Sequence, residues 1–362
     1  MLKIIYSVGL RNFNKETYND SSFKKMSNEE YEFIFFNHRE NLGTIIENAN
    51  MLDYLYRNKD KNLLKTYDEL KKLINSKKVD ILLVLGDNIY HPEFLKNLDV
   101  YKVLMSSDDP DSSYARTVPY LWAFDHVTCV NVRYHKDIPV KMTDKLIEWG
   151  AKRATWTPYG VIDGLYNPDL TEEDIFNKER QIDILYVGAF YREKVNALLQ
   201  LKKAFGDKFR LYGHWGVKFW GYYLLKGKWV WVKPLPVGSF VSTYQNTKIG
   251  INMHLSGELG NGRLYQLPMN GVMQICDCAD ILYEIFEPGK EIIGYDTIEE
   301  AIGLIKYYLE HGEERKKIAA AGFKKAIRCY KYSNILYNTL ENAKKGMITD
   351  GIIYSKDGKP LK

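Results

Sequence analysis

Lys248-Ile249-Gly250-Ile251-Asn252-Met253-His254-Leu255-Ser256-Gly257-Glu258-Leu259-Gly260-Asn261-Gly262-Arg263-Leu264-Tyr265-Gln266 is the stretch whose reading decides the fold. Ile249–Met253 reads as a buried strand, a glycine-rich turn follows, and a helix begins near Asn261. Glycines let the backbone approach a ligand closely, and amides at a helix start favour anions. Arg263 adds a cation whose planar fork suits phosphate oxygens. Arg263 and Gln266, three positions apart, share one helix face. In physical terms this is a diphosphate site, with Ser256, Gly257, Asn261 and Arg263 around the anion. The plainer alternative is an ordinary strand-to-helix turn with a surface arginine.

Outward from this stretch, short apolar strands alternate with helical segments, the pattern of parallel sheets with crossover helices. Upstream, strands are expected at Lys3–Val8, Tyr31–Phe36, Asp80–Leu85, Tyr101–Met105, His126–Val130 and Arg153–Thr157, with helices at Leu63–Ile74 and Thr143–Trp149. A second set of strands is expected at Ile182–Val187, Phe209–Tyr212, Val230–Val232, Ile249–Met253, Val272–Cys276 and Glu291–Tyr295. Its helices are Arg192–Phe205, Phe240–Asn246, Ile298–Glu310 and Glu313–Cys329. The chain has 362 residues, too many for one ordinary core, so two α/β domains are expected. Their bounds are 1–160 and 181–330, joined by a linker, 161–180, rich in Pro, Gly and charge, and followed by a helix and basic tail, 331–362.

Apolar residues make up 45% and charged residues 27%, a globular composition. The longest apolar runs are strand-sized, and the N-terminus lacks the pattern of a signal peptide. Four cysteines form no CxxC pair, and Cys129 and Cys276 lie in apolar runs, as reduced buried thiols do. A cytoplasmic protein is expected. The tail from Lys344 to Lys362 holds five lysines and two aspartates, most of the net charge of +5. The body is nearly balanced, which argues against general nucleic-acid binding.

Asp108 and Asp109 follow the strand Tyr101–Met105, and carboxylates at that end of a parallel strand face the ligand side. They suit a general base for an acceptor hydroxyl, a clamp on its hydroxyls, or a helix cap. His214 and Trp215 follow another strand, where their rings can flank a nucleotide base or pack in the core. Four of the seven tryptophans fall between Trp215 and Trp231, among Lys218, Lys226 and Lys228. Core tryptophans beside a solvated lysine face are the plain reading; an acceptor platform and a peripheral membrane contact are the others.

Several segments together resemble the CgeB-like group of the glycosyltransferase family 1 superfamily. They are Glu284-Ile285-Phe286-Glu287-Pro288-Gly289-Lys290-Glu291, the run Tyr307–Ala319 with Ala321-Gly322, Phe124-Asp125-His126-Val127, and Ile184-Leu185-Tyr186-Val187-Gly188. The resemblance implies the GT-B fold: two Rossmann-like domains with parallel sheets facing across a cleft, the second holding the donor nucleotide. It implies transfer of a sugar from a nucleoside-diphosphate sugar, a UDP- or GDP-sugar, to a carbohydrate, lipid-linked or protein acceptor in glycan synthesis. Gly188-Ala189-Phe190-Tyr191-Arg192-Glu193-Lys194 resembles the family loop that places a cation on the diphosphate, so Arg192 or Lys194 would join Arg263, with Arg192 preferred. Two such cations would suffice without a metal or further cofactor. The acidic pair Asp108–Asp109 also matches the group.

Related retaining enzymes carry a Glu-x7-Glu motif where this chain has Glu258 and Gln266. Glu258 would hold the sugar or its phosphate, and Gln266 would bind ribose through its amide. Pro268 is a second departure, expected to remove a helix bond. In the first domain, Gly9 would let the loop near Arg11 approach the donor, and His126 or His135 would contact the sugar. Two other readings remain: a GT-B scaffold that binds without turnover, and a glycosyltransferase acting on modified DNA bases, which would need a basic groove.

Overall fold

Branched and aromatic residues fill the short runs that become strands, and most are apolar on both faces because helices cover parallel sheets on both sides. The computed structural model describes the chain except residues 10–24, 43–44, 87, 108, 111, 136, 216–219, 237, 255–260, 278–281, 349–352, 355–359 and 362. Two compact units emerge: Met1–Pro158 with Leu336–Lys362, and Tyr159–Ile335. The helix Tyr332–Ile348 begins in the second unit and continues in the first.

The first unit holds β1 (Leu2–Val8), β2 (Tyr31–Asn37), β3 (Ile81–Leu85), β4 (Tyr101–Met105), β5 (His126–Cys129), a hairpin of β6 (Arg133–His135) and β7 (Ile138–Lys141), and β8 (Ala154–Trp156). Six of them form a parallel sheet in the order β2-β1-β3-β4-β5-β8. The helix Lys61–Lys77 buries Leu63, Tyr67, Leu70 and Ile74, one stripe at helical spacing. Asp60 starts it by accepting from the amides of Asn62 (3.1 Å) and Leu63 (2.9 Å).

In the second unit, β9 (Ile182–Val187), β10 (Phe209–Tyr212), β11 (Thr247–Asn252), β12 (Met273–Asp277) and β13 (Ile293–Tyr295) make a parallel sheet in the order β10-β9-β11-β12-β13. Each sheet thus places its second strand outside its first, and the order reverses between the first and third. That reversal leaves a crevice beyond the strand C-termini, between β1 and β3 in one unit and β9 and β11 in the other.

Helices Arg192–Phe205 and Ile298–Glu310 have the bounds expected from sequence. The strand expected at Val230–Val232 is corrected: those residues join no ladder, and only Lys233 bridges Tyr212. Val230 and Val232 face the core while Trp231 faces out, so the alternation is real without strand pairing. Residues 161–180, read above as a linker, include the capped helix Glu172–Asn177, whose Ile175 is buried in the second core. Pro268 lies inside the short helix Arg263–Met269. It has no N–H to offer the carbonyl of Leu264, and Gln274 on β12 donates to that oxygen instead at 3.1 Å. Gly322 permits the helix Gly312–Cys329 to pack on backbone: a Cβ there would lie 2.5 Å from the carbonyl oxygen of Glu291. Cys129 and Cys276 are buried and in no disulfide among the described residues.

Candidate functional site

The second sheet brings its polar residues together at the C-terminal ends of β9, β11 and β12. Asn252 ends β11, Met253 and His254 follow it, and Asp277 ends β12. Arg263 opens the next helix and reaches back across the crevice. Its Nε donates to Asn252 Oδ1 (3.1 Å) and its Nη2 to the Met253 carbonyl (3.1 Å). Its Nη1 donates to the Val187 carbonyl at the end of β9. The guanidinium lies over the Tyr186 ring, 4.7 Å from its centroid. A guanidinium has five N–H groups, so three bonds leave donors to spare. Gly188 leaves the guanidinium its place, since a Cβ would fall 2.1 Å from Arg263 Nη1 and push it aside.

Lys194 comes to the same place from the helix Arg192–Phe205. It is buried on the stripe shared by Val195, Leu198 and Leu201, and its Nζ donates to the Met253 carbonyl at 2.7 Å. Burial, with the charge of Arg263 adding to it and Asp277 partly opposing, lowers the Lys194 pKa to about 8. Among the described residues, neither Lys194 nor Arg263 has a carboxylate within ion-pair distance. The nearby acid, Asp277, is occupied: it accepts from the His254 amide (2.7 Å) and pairs with His254 Nδ1 (2.6 Å). That leaves His254 Nε2 and Asn252 Nδ2 buried without a partner among the described residues.

His254, Cys276 and Asp277 also form a group whose ligand atoms lie within 4.8 Å of one another. The direct 2.6 Å contact between Nδ1 and the carboxylate is that of a hydrogen bond. An ion bonded to both at about 2.0–2.2 Å would hold the two atoms further apart.

The expected residues are distributed unevenly. Asn261 and Arg263 meet: Asn261 Nδ2 donates to Asn252 Oδ1 (2.9 Å), and Asn261 Oδ1 accepts from the Leu264 amide (3.1 Å). Gln266, on the same helix, makes no side-chain hydrogen bond within the described residues, and its amide lies beside Gly262. The pairing preferred from sequence, Arg192 with Arg263, is not made. Arg192 is exposed and lines a separate groove of about 530 Å³ with Tyr222, Lys226 and Lys228. Lys194 takes the inner position. His214 is exposed after β10. Trp215 is a packing residue: it stacks on Trp229 (centroids 4.6 Å apart) and donates to the Val230 carbonyl at 3.1 Å. Ser256, Gly257 and Glu258 lie outside the described residues, as do Asp108 and Arg11.

Asp109 is buried at the end of β4, where it accepts from the Ser113 hydroxyl, while its own carbonyl accepts from Asn131. Its Oδ2 is buried without a partner among the described residues, and the carboxylate shows almost no surface. His126 is corrected. It starts β5, at the opposite pole from the strand C-termini, is buried against Thr155 Oγ1 at 2.8 Å, and has its pKa pushed down to about 4 by burial. Gly9 keeps room for its neighbours: a Cβ would come within 2.7 Å of the His38 and Arg39 side chains. Asn252, His254 and Asp277 were not singled out from sequence. Their signal was a polar residue closing an otherwise apolar strand.

Residues 192–341 match the family described as glycosyl transferase-like. No curated protein matches the chain. Solved structures match nearly all of it. A glycosyltransferase from Rickettsia africae shares 11% identity over 96% of this chain and 98% of that one, with a TM-score of 0.59. Sucrose-phosphate synthase from Thermosynechococcus elongatus shares 9% over 96% and 100%, with a TM-score of 0.58. HepE of Anabaena in complex with UDP-glucose shares 12% over 95% and 100%, with a TM-score of 0.57. The fold is GT-B. The cations at the β9–β11 crevice therefore lie in the GT-B sheet that carries the glycosyl transferase-like segment. Among the described residues, no helix is long and apolar enough to cross a membrane.

Proposed function

We propose that this protein is a CgeB-like glycosyltransferase, moving a sugar from a UDP- or GDP-sugar to an acceptor hydroxyl in glycan or glycoconjugate synthesis. The observation that carries this reading is the convergence of Lys194 and Arg263 on one carbonyl at the crevice of the second sheet, with no carboxylate pairing either among the described residues. Like charges held together without a counter-ion favour an anion with two phosphates.

In the transfer, the bond from the anomeric carbon to the diphosphate oxygen breaks, and a bond to the acceptor oxygen forms. The diphosphate leaves with the electron pair, and the acceptor proton passes to a base. Lys194 and Arg263 stabilise the charge that grows on the diphosphate, the step where fixed electrostatics contribute most. Their combined charge makes a metal ion unnecessary in this reading. The uncommitted amide of Gln266 suits the ribose hydroxyls, and the exposed His214 suits the base edge. Glu258 and Asp108 remain the carboxylates for the sugar and the acceptor proton.

The test is a thermal-shift series with UDP, GDP, ADP, TDP and CDP, followed by turnover assays with the sugars of the nucleotide that binds. One diphosphate should raise Tm, and its sugar should be transferred or hydrolysed. If no diphosphate binds, the reading fails. Binding without turnover across a broad acceptor set would favour a nucleotide-binding scaffold, a reading supported by Gln266 standing where related enzymes carry a glutamate.

A further inference from the structure

Between Asp207 and Glu258 the sequence contains no acidic residue. Within that span, residues 220–236 combine a firm inner side with an apolar outer side. The inner side is packed: Tyr223 is buried, Trp229 stacks on Trp215, and Val230 and Val232 pack on the second core. Backbone bonds fix it, from the Lys228 amide to the Tyr223 carbonyl and from the Gly213 amide to the Lys233 carbonyl, both 2.9 Å. The outer side presents Trp220, Tyr222, Leu224, Leu225 and Trp231 to solvent. Leu225 is 90% exposed and Trp231 83%, the two highest values among the large apolar side chains of the described residues. Lys226, Lys228 and Lys233 are exposed among them.

Scattered apolar side chains on a surface need no explanation, but five exposed within one short segment anchored by its packed side mark a contact. Its composition selects the partner. Tryptophan and tyrosine with leucine, bordered by Lys226, Lys228, Lys233 and Arg192 against the single acid Glu193, is the chemistry of a bilayer interface: aromatic rings sit at headgroup level, leucine enters the acyl boundary, and cationic groups meet anionic lipid. A patch for another protein would gain specificity from charges of both signs balanced on its rim, and here four cations face one acid, Glu193. We infer that residues 220–236 dock the protein peripherally on an anionic lipid bilayer, with Leu225 and Trp231 inserting and Lys226 and Lys228 contacting the headgroups. The contact holds a soluble-domain enzyme beside a lipid-borne partner without a membrane-spanning helix. It uses none of the residues assigned to the donor site and does not depend on the proposed reaction.

The experiment is co-sedimentation of the full chain with phosphatidylcholine vesicles and with mixed phosphatidylcholine–phosphatidylglycerol vesicles, with UDP binding measured in parallel on each variant. The wild type should partition strongly onto the mixed vesicles and weakly onto the neutral ones, with salt weakening the former. Lys226→Gln with Lys228→Gln should lower partitioning onto mixed vesicles about 30-fold, taking about fivefold for each lysine near a charged surface. Leu225→Ser with Trp231→Ser should abolish binding to both kinds. These side chains are solvent-exposed, so the variants should fold, which an unchanged melting curve confirms. Wild-type partitioning that is absent, or indifferent to both double variants, overturns the proposal. So does a dimer, seen by sedimentation, that dissolves in Leu225→Ser with Trp231→Ser while vesicles go unbound. Loss of UDP binding in every sample would count against the donor site and leave the lipid result standing.

Discussion

At its first residue β11 offers the carbonyl of Thr247 to Arg180, and just past its last it offers that of Met253 to Arg263 and Lys194. The two ends share a construction. Each arginine is seated by a glycine: a Cβ on Gly271 would lie 2.8 Å from Arg180 Nη2, and one on Gly188 would lie 2.1 Å from Arg263 Nη1. Each has a second cation near it, Arg315 beside Arg180 and Lys194 beside Arg263. The surroundings differ. At the first end every lysine lining the cavity is neutralised locally: Lys178 by Asp174, Lys248 by Asp183 and Lys316 by Glu313. At the second end the available carboxylate, Asp277, is held by His254. The second end also lies at the strand C-termini, where the order of a doubly wound sheet leaves its crevice. A half-buried arginine on backbone carbonyls is therefore no sign of a ligand by itself; position in the sheet and the fate of the nearby acids decide.

The largest expected effect tests that contrast directly. Arg263→Ala should weaken UDP binding, read by titration calorimetry, about tenfold to a hundredfold, the range of a charge-assisted hydrogen bond worth about 1.5–3 kcal/mol. Arg180→Ala should leave UDP affinity unchanged while lowering Tm, because it exposes an unmet carbonyl at the other pole. Equal losses of affinity in the two variants would erase the distinction between the ends.

A finer cut uses the seats rather than the arginines. Gly188→Ala displaces the Arg263 guanidinium without removing it, so UDP affinity should fall about threefold to tenfold, less than a full charged hydrogen bond is worth. Gly271→Ala adds a Cβ where φ is +69° and Arg180 and Ile175 crowd it. It should cost about 1–3 kcal/mol of stability by denaturant unfolding, with UDP affinity intact. If Gly188→Ala binds UDP as well as the wild type, the guanidinium position does not matter and the donor site is misassigned.

Much of this arrangement was legible in the chain. Runs such as Ile182–Val187 and Ile81–Leu85 are strand-length and apolar, so the sheets could be read before any coordinates. The glycine-rich turn and Arg263 could be read as well. Which cation would join Arg263 could have been: Lys194 shares the helical phase of Val195, Leu198 and Leu201, whereas Arg192 points away from it. His126 misled because a histidine beside an apolar run says nothing about which pole of the strand it occupies; here it is the first residue of β5. Val230 and Val232 alternate like a strand but gain their burial by packing against the second core, without a ladder. The pairing of His254 with Asp277 was hidden for another reason. It joins the ends of two strands 23 positions apart, and only the order of the sheet makes β11 and β12 neighbours.

The smallest effect is the most diagnostic, because it separates the two ends by proton count. In the free protein the Lys194 pKa is lowered to about 8, by burial first and Arg263 second. The folded chain therefore binds fewer protons than the unfolded one between about 8 and the ordinary lysine value of about 10.4, and stability contributed by this group rises with pH across that window. A bound diphosphate reverses the local field and draws the proton back. UDP binding near pH 8.5 should then take up a fraction of a proton, seen as a dependence of calorimetric enthalpy on the ionisation enthalpy of the buffer. Affinity should be flat below about pH 8 and decline above it, since the ligand prefers the charged amine. Lys194→Met should abolish both the proton uptake and the alkaline decline. At the opposite pole burial lowers the Arg180 pKa only to about 10, so that guanidinium stays charged near pH 8.5, and an uptake at that pH that persists in Lys194→Met would place the diphosphate away from the Met253 carbonyl.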